Sequence, residues 1–113
     1  MNPREQASLL DIRLAAQLSL EFIQGMDQAT FETDIKTQSA VLYQISILGE
    51  AVKHLSKEFR SEHPEIPWSA MAGMRDKLIH DYDGVDTQRV WLTLQTNIPE
   101  LLTHLSSLLN QGE

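Results

Sequence analysis

An arginine, a histidine and a tyrosine occur close together between residues 74 and 84, in a turn-rich segment of an otherwise leucine-patterned chain. Arg75 carries a permanent cation whose planar shape suits phosphate oxygens. His80 has a side chain whose ordinary pKa is about 6.5, so its ring can exchange a proton near neutral pH. Together with Tyr82, these residues indicate chemistry on a phosphodiester.

Helical geometry limits how Arg75 and His80 can act together. In an unbroken helix Arg75 and Tyr82 share a face, whereas His80 points about 140° away from Arg75. One straight helix therefore cannot direct both groups at one phosphate. Either the helix ends between them, or the second group comes from another copy of the chain across a two-fold interface.

The spacing of these residues also fits a purely structural interpretation. Arg75 can be a solvated surface residue, and His80 can complement the negative end of a helix. Tyr82 can be a half-buried aromatic residue whose hydroxyl reaches water. Because an arginine and a histidine five positions apart often occur by chance, the spacing alone favours this structural interpretation.

Composition places further limits on the chain. With 113 residues, of which 42% are hydrophobic, it can bury one modest core, so we expect a single domain over residues 1–113. The absence of cysteine excludes disulfides, thiolate metal sites and cysteine nucleophiles, and it agrees with the cytoplasmic location that we expect. No signal peptide and no run of ~20 apolar residues is visible, so no membrane partner is expected.

Charge argues against nonspecific binding of nucleic acid. The formal net charge is -7, and a broad basic surface that makes many phosphate contacts is incompatible with such a balance. Any contact with RNA must therefore be local. The helix stripe of Glu50, Lys53, Lys57 and Arg60 is expected to be a solvated face rather than an RNA path.

Helical periodicity dominates the chain and predicts an all-α fold, an antiparallel helical bundle. The first helix is expected from about Arg4 to Met26, with apolar residues on two opposite faces. One face can join the core: Leu9, Ile12, Ala16 and Ile23. The other would stay in water: Leu10, Leu14, Leu18 and Phe22. Because an exposed apolar stripe of this length usually marks an interface, it predicts a homodimer.

The longest helix is expected from about Asp34 to Arg60, where apolar residues repeat every three or four positions. Thr30 or Thr33 can accept the first amide hydrogen bonds of this helix. Gly49 lies inside it, where glycine costs about 1 kcal/mol relative to alanine, so a closely packed neighbouring backbone is expected there. Tyr43 is expected to lie in the core.

Prolines in the segment from His63 to Trp68 stop this long helix. A short helix from about Trp68 to Ile79 would carry Arg75 and end just before His80. The last helix is expected to begin near Asp86 or Thr87, with a kink or break near Asn97 ahead of a proline.

No metal site and no cofactor is predicted. Asp81, Asp83 and Asp86 follow the opening spacing of a calcium loop, but glycine occurs at the fourth position rather than the sixth. Leu92 stands where that loop needs a bidentate glutamate. Three further histidines have no partner at metal-ligand spacing and are expected at the surface or at helix ends: His54, His63 and His104.

The pattern Arg-x4-His-x-Tyr at Arg75, His80 and Tyr82 resembles the motif of the HepT-like family of HEPN-domain proteins. Further blocks in the same order are similar to this family: Ile47-Leu48-Gly49-Glu50-Ala51, Lys53 with Leu55-Ser56, Pro64-Glu65-Ile66-Pro67-Trp68, Gly73-Met74-Arg75-Asp76, and His80-Asp81-Tyr82 leading to Gly84 and Asp86. The similarity covers most of the chain and is weakest before about Asp34.

The resemblance implies a metal-independent endoribonuclease that belongs to a toxin–antitoxin pair and acts as a homodimer on RNA. It places catalysis on Arg75 and His80. It also implies that the antitoxin, a minimal nucleotidyltransferase, modifies Tyr82 with AMP. Asp76 resembles the polar residue that often follows the family's arginine, and it either orients Arg75 or is a solvated carboxylate.

Two other functions remain open at this point. The protein can be a non-catalytic binding module that holds a nucleotidyltransferase or presents its substrate, with Arg75 recognising a nucleotide without cleaving it. It can also be an acidic helical interaction protein without an active site. Metal-free RNA cleavage that depends on Arg75 and His80 separates the ribonuclease from both.

Overall fold

Helices dominate the computed structural model, which describes residues 1–80 and 84–111. Within these residues the elements follow in this order: α1 (Pro3–Phe22), α2 (Gln28–Thr33), α3 (Ile35–Lys53), α4 (Lys57–Glu62), α5 (Trp68–Ala72), α6 (Met74–Leu78), β1 (Ile79–His80), β2 (Gly84–Val85), α7 (Thr87–Gln95) and α8 (Asn97–Gln111). The predicted all-α bundle is confirmed, with one addition. The two-residue strands β1 and β2 pair antiparallel and were not predicted.

Helices α1 and α3 form the main contact of the bundle, and α8 packs against α1. The predicted core face of α1 is buried, since Leu9, Ile12 and Ala16 are each 0% exposed. Its opposite face is not covered, because Leu14 is 56% exposed and Leu10 is 40% exposed. The two-faced character of the first helix is therefore confirmed.

Aspartates, rather than threonines, cap α2 and α3, the two helices that follow α1. The Asp27 carboxylate accepts a hydrogen bond from the Thr30 amide at 2.8 Å, and the Asp34 carboxylate accepts one from the Thr37 amide at 3.0 Å. The prediction that Thr30 or Thr33 caps the long helix is wrong. An ionised carboxylate is the stronger acceptor for the free amides at a helix start, and it also complements the positive end of the helix.

The long helix predicted from Asp34 to Arg60 is interrupted, which corrects the sequence prediction. Helix α3 ends at Lys53, and α4 starts after Ser56, whose hydroxyl accepts a hydrogen bond from the Phe59 amide at 3.0 Å. The buried carboxylate of Glu5 in α1 accepts the Ser56 amide, with Oε1 at 3.3 Å. These two interactions satisfy backbone groups at the interruption, so the chain can change direction there.

The short helix predicted from Trp68 to Ile79 is divided at Gly73 into α5 and α6. The break predicted near Asn97 is confirmed, because α7 ends at Gln95 and α8 begins at Asn97. Asp86 caps α7 by accepting the Arg89 amide at 3.1 Å, as the sequence predicted. Among the helices of the described residues, none combines the length and the apolar character that a bilayer crossing requires.

Candidate functional site

Arg75 lies on α6, which follows α5 directly, and both short helices pack against α3. The closest approach is between α5 and Gly49, the glycine within α3. A Cβ atom added to Gly49 would lie 3.0 Å from the carbonyl oxygen of Ala72, a backbone atom at the end of α5. The close approach predicted for Gly49 is therefore confirmed. It brings the α5–α6 corner against α3 and so positions Arg75 beside the second half of that helix.

A groove of about 300 Å³ lies beside this contact, between α3 and the α5–α6 corner. Its lining residues come from both sides: Ile45, Ser46, Gly49, Glu50, Lys53, Ala72, Arg75 and Asp76. The Arg75 side chain is 52% exposed, so its guanidinium reaches solvent. We refer to this space as the Arg75 groove.

Two ion pairs, one on each side, line the Arg75 groove. Arg75 Nη1 lies 3.4 Å from Asp76 Oδ1, and Lys53 Nζ lies 3.3 Å from Glu50 Oε1. All four side chains are more than half exposed, and exposed pairs of this kind contribute little to stability. An incoming phosphate can therefore compete for both cations at small cost.

His80 lies in β1, where it pairs with Gly84 of β2. Helix α6 ends at Leu78, so the helix ends between Arg75 and His80, which is one of the two arrangements that the sequence left open. Gly84 has a φ of +78°, a backbone conformation that favours glycine. That the His80 ring converges with Arg75 on one phosphate stays a prediction.

Tyr82 lies outside the described residues, and so do Asp81 and Asp83 of the rejected calcium loop. Of the predicted site residues, the structure thus brings Arg75 and Asp76 into contact. In the described part of the chain, no group of three histidine, aspartate or glutamate side chains could hold a metal ion.

The sequence did not identify three residues of α3 as part of this site. Ser46, Glu50 and Lys53 line the Arg75 groove, although Glu50 and Lys53 were expected only to form a solvated stripe. Their spacing of three and four residues places them on one helix face, and the interior glycine beside them was the available signal. Tyr43 corrects a second expectation, because it is 65% exposed rather than part of the core.

The remaining histidines lie at helix ends or pair with a neighbouring carboxylate. His54 and His63 occupy the C-cap positions of α3 and α4. His63 Nδ1 lies 3.6 Å from Glu65 Oε1, and His104 Nε2 lies 3.9 Å from Glu100 Oε1. These positions agree with the surface and capping roles that the sequence predicted.

A family model described as "Ribonuclease HepT-like" matches residues 12–108, which is most of the chain. The chain belongs to the HepT-like family. It is 47% identical over 93 residues to a protein of Thermococcus cleftensis named "Probable ribonuclease HepT", covering 82% of this chain and 84% of that protein. No solved structure matches the chain.

Two further relatives of this HepT-like protein carry names of the same kind. A protein of Caldanaerobacter subterraneus, named as a candidate RNase, is 41% identical over 81% of this chain and 82% of its own length. A protein of Methanocaldococcus jannaschii, also named as a candidate RNase, is 37% identical over 96% of this chain and 93% of its own length.

Proposed function

We propose that this HepT-like protein is a metal-independent endoribonuclease, the toxin of a pair whose antitoxin is a nucleotidyltransferase. Its membership of a family described as "Ribonuclease HepT-like", and relatives named as ribonucleases, support RNA cleavage. One structural observation carries the proposal furthest. Arg75 reaches solvent from a groove, and the helix that holds it ends before His80.

In the proposed reaction, the 2′-oxygen of a ribose attacks the neighbouring phosphorus, and the bond from phosphorus to the 5′-oxygen breaks. The ring of His80 takes the proton of the 2′-hydroxyl or delivers one to the leaving oxygen, and solvent exchanges the other proton. The guanidinium of Arg75 stabilises the negative charge that develops on the phosphoryl oxygens. The products are a cyclic phosphate and a free 5′-hydroxyl, so the step consumes no water.

A homodimer is part of the proposal. The exposed face of α1, formed by Leu10, Leu14 and Phe22 with the half-buried Leu18, is an apolar stripe that a second copy of the chain would cover. In a two-fold dimer, one chain can supply Arg75 and the other His80 to a composite cleft. This arrangement would meet the requirement that both groups act on the same phosphodiester.

Control by the antitoxin is proposed to act at Tyr82, two residues after His80. The nucleotidyltransferase would join the tyrosine oxygen to the α-phosphorus of ATP, release pyrophosphate and pass the phenolic proton to solvent. The AMP group would add bulk and negative charge two residues along the chain from His80 and so oppose the binding of RNA. A mass increase of one or more AMP units on Tyr82 after coexpression supports this step, and an unmodified Tyr82 contradicts it.

The test of the proposed function is RNA cleavage by the purified protein in EDTA. Removing the proton-exchanging ring in His80→Ala should slow cleavage by about 10²–10⁴-fold. Removing the cation in Arg75→Ala should slow it by about 10²–10³-fold. Both variants must retain the wild-type circular dichroism spectrum and oligomeric mass.

Lys36→Ala is the matched control for the loss of a positive charge. Lys36 is exposed on α3, about 20 Å along the helix from Gly49. The Lys36→Ala protein should therefore cleave RNA at the wild-type rate. A wild-type protein that binds a nucleotide or the transferase but cleaves no RNA would contradict the ribonuclease and support the non-catalytic binding module.

A further inference from the structure

A second, larger groove lies between α4 and the start of α5. It has a volume of about 560 Å³ and is lined by Lys57, Arg60, Ser61, Ile66 and residues 67–70. Aromatic packing fixes its walls, since the rings of Phe59 and Trp68 are 6.2 Å apart. Trp68 also donates a hydrogen bond from Nε1 to the His63 carbonyl at 3.0 Å. We refer to this space as the Lys57 groove.

Arg60 contributes an unusual group to this groove. Its Nε is buried, and within the described residues it has no hydrogen-bond partner. A buried donor without a partner is costly, and more so when the group is charged, so it calls for an acceptor that the chain itself does not supply. An anionic oxygen is the acceptor that a guanidinium binds most strongly.

Cations are concentrated around α5 and α6. Six of the nine lysines and arginines of the chain line the Arg75 groove, the Lys57 groove or a third groove of about 180 Å³. The third groove contains Lys77 and Arg89, and Ala70 lines both it and the Lys57 groove. Neither of these two grooves has an aspartate or glutamate among its lining residues.

This distribution favours a ligand with several phosphates over a single nucleotide. Helix α5 carries no cation itself, but cations from α4, α6 and α7 line the grooves on either side of it. A polynucleotide backbone presents phosphates at regular intervals, so it can contact cations in more than one groove. The chain as a whole carries a charge of -7, so the two cationic grooves are local exceptions on an acidic protein. Such a pattern would position RNA without attracting it over the whole surface.

We propose that the Lys57 groove binds a backbone phosphate of the RNA substrate, away from the bond that is cleaved. This inference rests on the proposed ribonuclease function and adds a second contact for its substrate. The ammonium of Lys57 and the guanidinium of Arg60 donate to phosphate oxygens, and the hydroxyls of Ser61 and Ser69 are further donors in the lining. The solvated stripe predicted over Lys57 and Arg60 is thereby assigned to RNA.

The experiment measures how the affinity for RNA depends on salt. The probe is a fluorescent single-stranded RNA oligomer with a 2′-O-methyl group at every position, which cannot undergo attack by a 2′-hydroxyl. Binding is followed by anisotropy over a series of NaCl concentrations for wild type, Lys57→Gln and Lys57→Gln/Arg60→Gln. The control is Lys36→Gln, which removes the same charge from the distant end of α3.

For single strands, the slope of log K against log salt changes by about 0.7 for each phosphate contact. Lys57→Gln should reduce the slope by about 0.7 and the double variant by more, with weaker binding in both, whereas Lys36→Gln should match wild type. If the double variant does not fold, the single variant Lys57→Gln decides the result, because Lys57 is exposed. A Lys57→Gln protein with the same slope and Kd as Lys36→Gln would overturn the inference. It would also be overturned if Lys57→Gln lost as much affinity for free AMP as for the RNA oligomer.

The experiments distinguish a wrong assignment of the Lys57 groove from a wrong assignment of the ribonuclease function. A wild-type protein that cleaves unmodified RNA, while the Lys57→Gln slope stays unchanged, contradicts the Lys57 groove alone. A wild-type protein that cleaves no RNA contradicts the ribonuclease, and the slope comparison then still decides whether this groove binds a polynucleotide.

Discussion

Helices α1 and α3 extend for 20 and 19 residues, whereas α4, α5 and α6 have six, five and five. The long helices bury continuous apolar faces against each other. The short helices are separated by turns at His63–Pro67 and Gly73 and lack this regular pattern. Helices α1 and α3 therefore form the frame of the bundle, and the short helices α4, α5 and α6 arrange side chains around grooves on that frame.

Charge is also distributed unevenly along the chain. Residues 1–49 contain three cations: Arg4, Arg13 and Lys36. The other six all line grooves next to α5 and α6. Four of these six lie on the short helices α4 and α6: Lys57, Arg60, Arg75 and Lys77. Lys53 ends α3 and Arg89 lies on α7, but both line grooves beside the short helices. The second region is therefore the part of this protein that is suited to bind an anionic polymer.

Gly49→Val would test the contact between the two regions and should have the largest effect. A Cβ at this position meets the Ala72 carbonyl oxygen at 3.0 Å, so a branched side chain must push α5 away from α3. Overpacking of this kind costs about 1–3 kcal/mol, which urea denaturation can measure. RNA cleavage should fall by more than the loss of folded protein explains, since Arg75 moves with α5 and α6.

Gly49→Ala provides the graded comparison for this substitution. It adds only the Cβ, whose close contact with the Ala72 carbonyl oxygen opposes a gain of about 1 kcal/mol in helix propensity. Because the two effects offset each other, the stability of Gly49→Ala should stay close to wild type. A Gly49→Val protein with wild-type stability and wild-type cleavage would show that the two regions are not coupled at this contact.

Trp68→Phe should have an intermediate effect, confined to the second region. The substitution removes the hydrogen bond to the His63 carbonyl, which contributes about 0.5–1.5 kcal/mol. It should loosen the walls of the Lys57 groove and weaken RNA binding, while the Arg75 groove keeps its shape. An unchanged Kd for the 2′-O-methyl oligomer, together with a lowered melting temperature, would show that Trp68 stabilises the fold without contributing to RNA binding.

Asp34→Asn tests the frame and should have the smallest effect. Hydrogen bonds from the Thr37 amide and hydroxyl lower the pKa of Asp34 below its ordinary value of 3.8. Because the folded state holds this carboxylate ionised, its contribution to stability is present above pH 3.8 and is lost as the pH falls through the lowered pKa.

Asparagine also caps helices well but does not titrate, so the variant should show a shallower loss of stability below pH 3.8 and little change near neutrality. Thermal melts over this pH range measure the difference. An identical pH profile in wild type and Asp34→Asn would contradict the assigned cause of the pKa shift.

Much of the frame could be predicted from sequence because its helices repeat apolar residues with the period of an α-helix. The interruption between α3 and α4 could not, since Leu55 and Phe59 continue the same period across it. It depends on Glu5, which accepts the Ser56 amide from 51 positions away along the chain. Strands of two residues, such as β1, are too short to show alternation.

The candidate site was only partly predictable, for a related reason. Arg75 could be identified by its residue type and motif, and the end of its helix before His80 was one of two arrangements that the spacing allowed. The contribution of Glu50 and Lys53 requires knowing which helix docks on Gly49. Tyr43 was misplaced because it is adjacent to the buried Leu42 but points about 100° away from it around α3.

The most direct test of the composite cleft is to mix Arg75→Ala and His80→Ala chains after mild dissociation and to measure RNA cleavage in EDTA. If one chain supplies Arg75 and the other His80, each mixed dimer keeps one intact site of two. With half of all dimers mixed, the rate should reach about a quarter of wild type, far above either variant alone. A mixture no more active than its two components, or a protein that stays monomeric, would contradict the composite cleft.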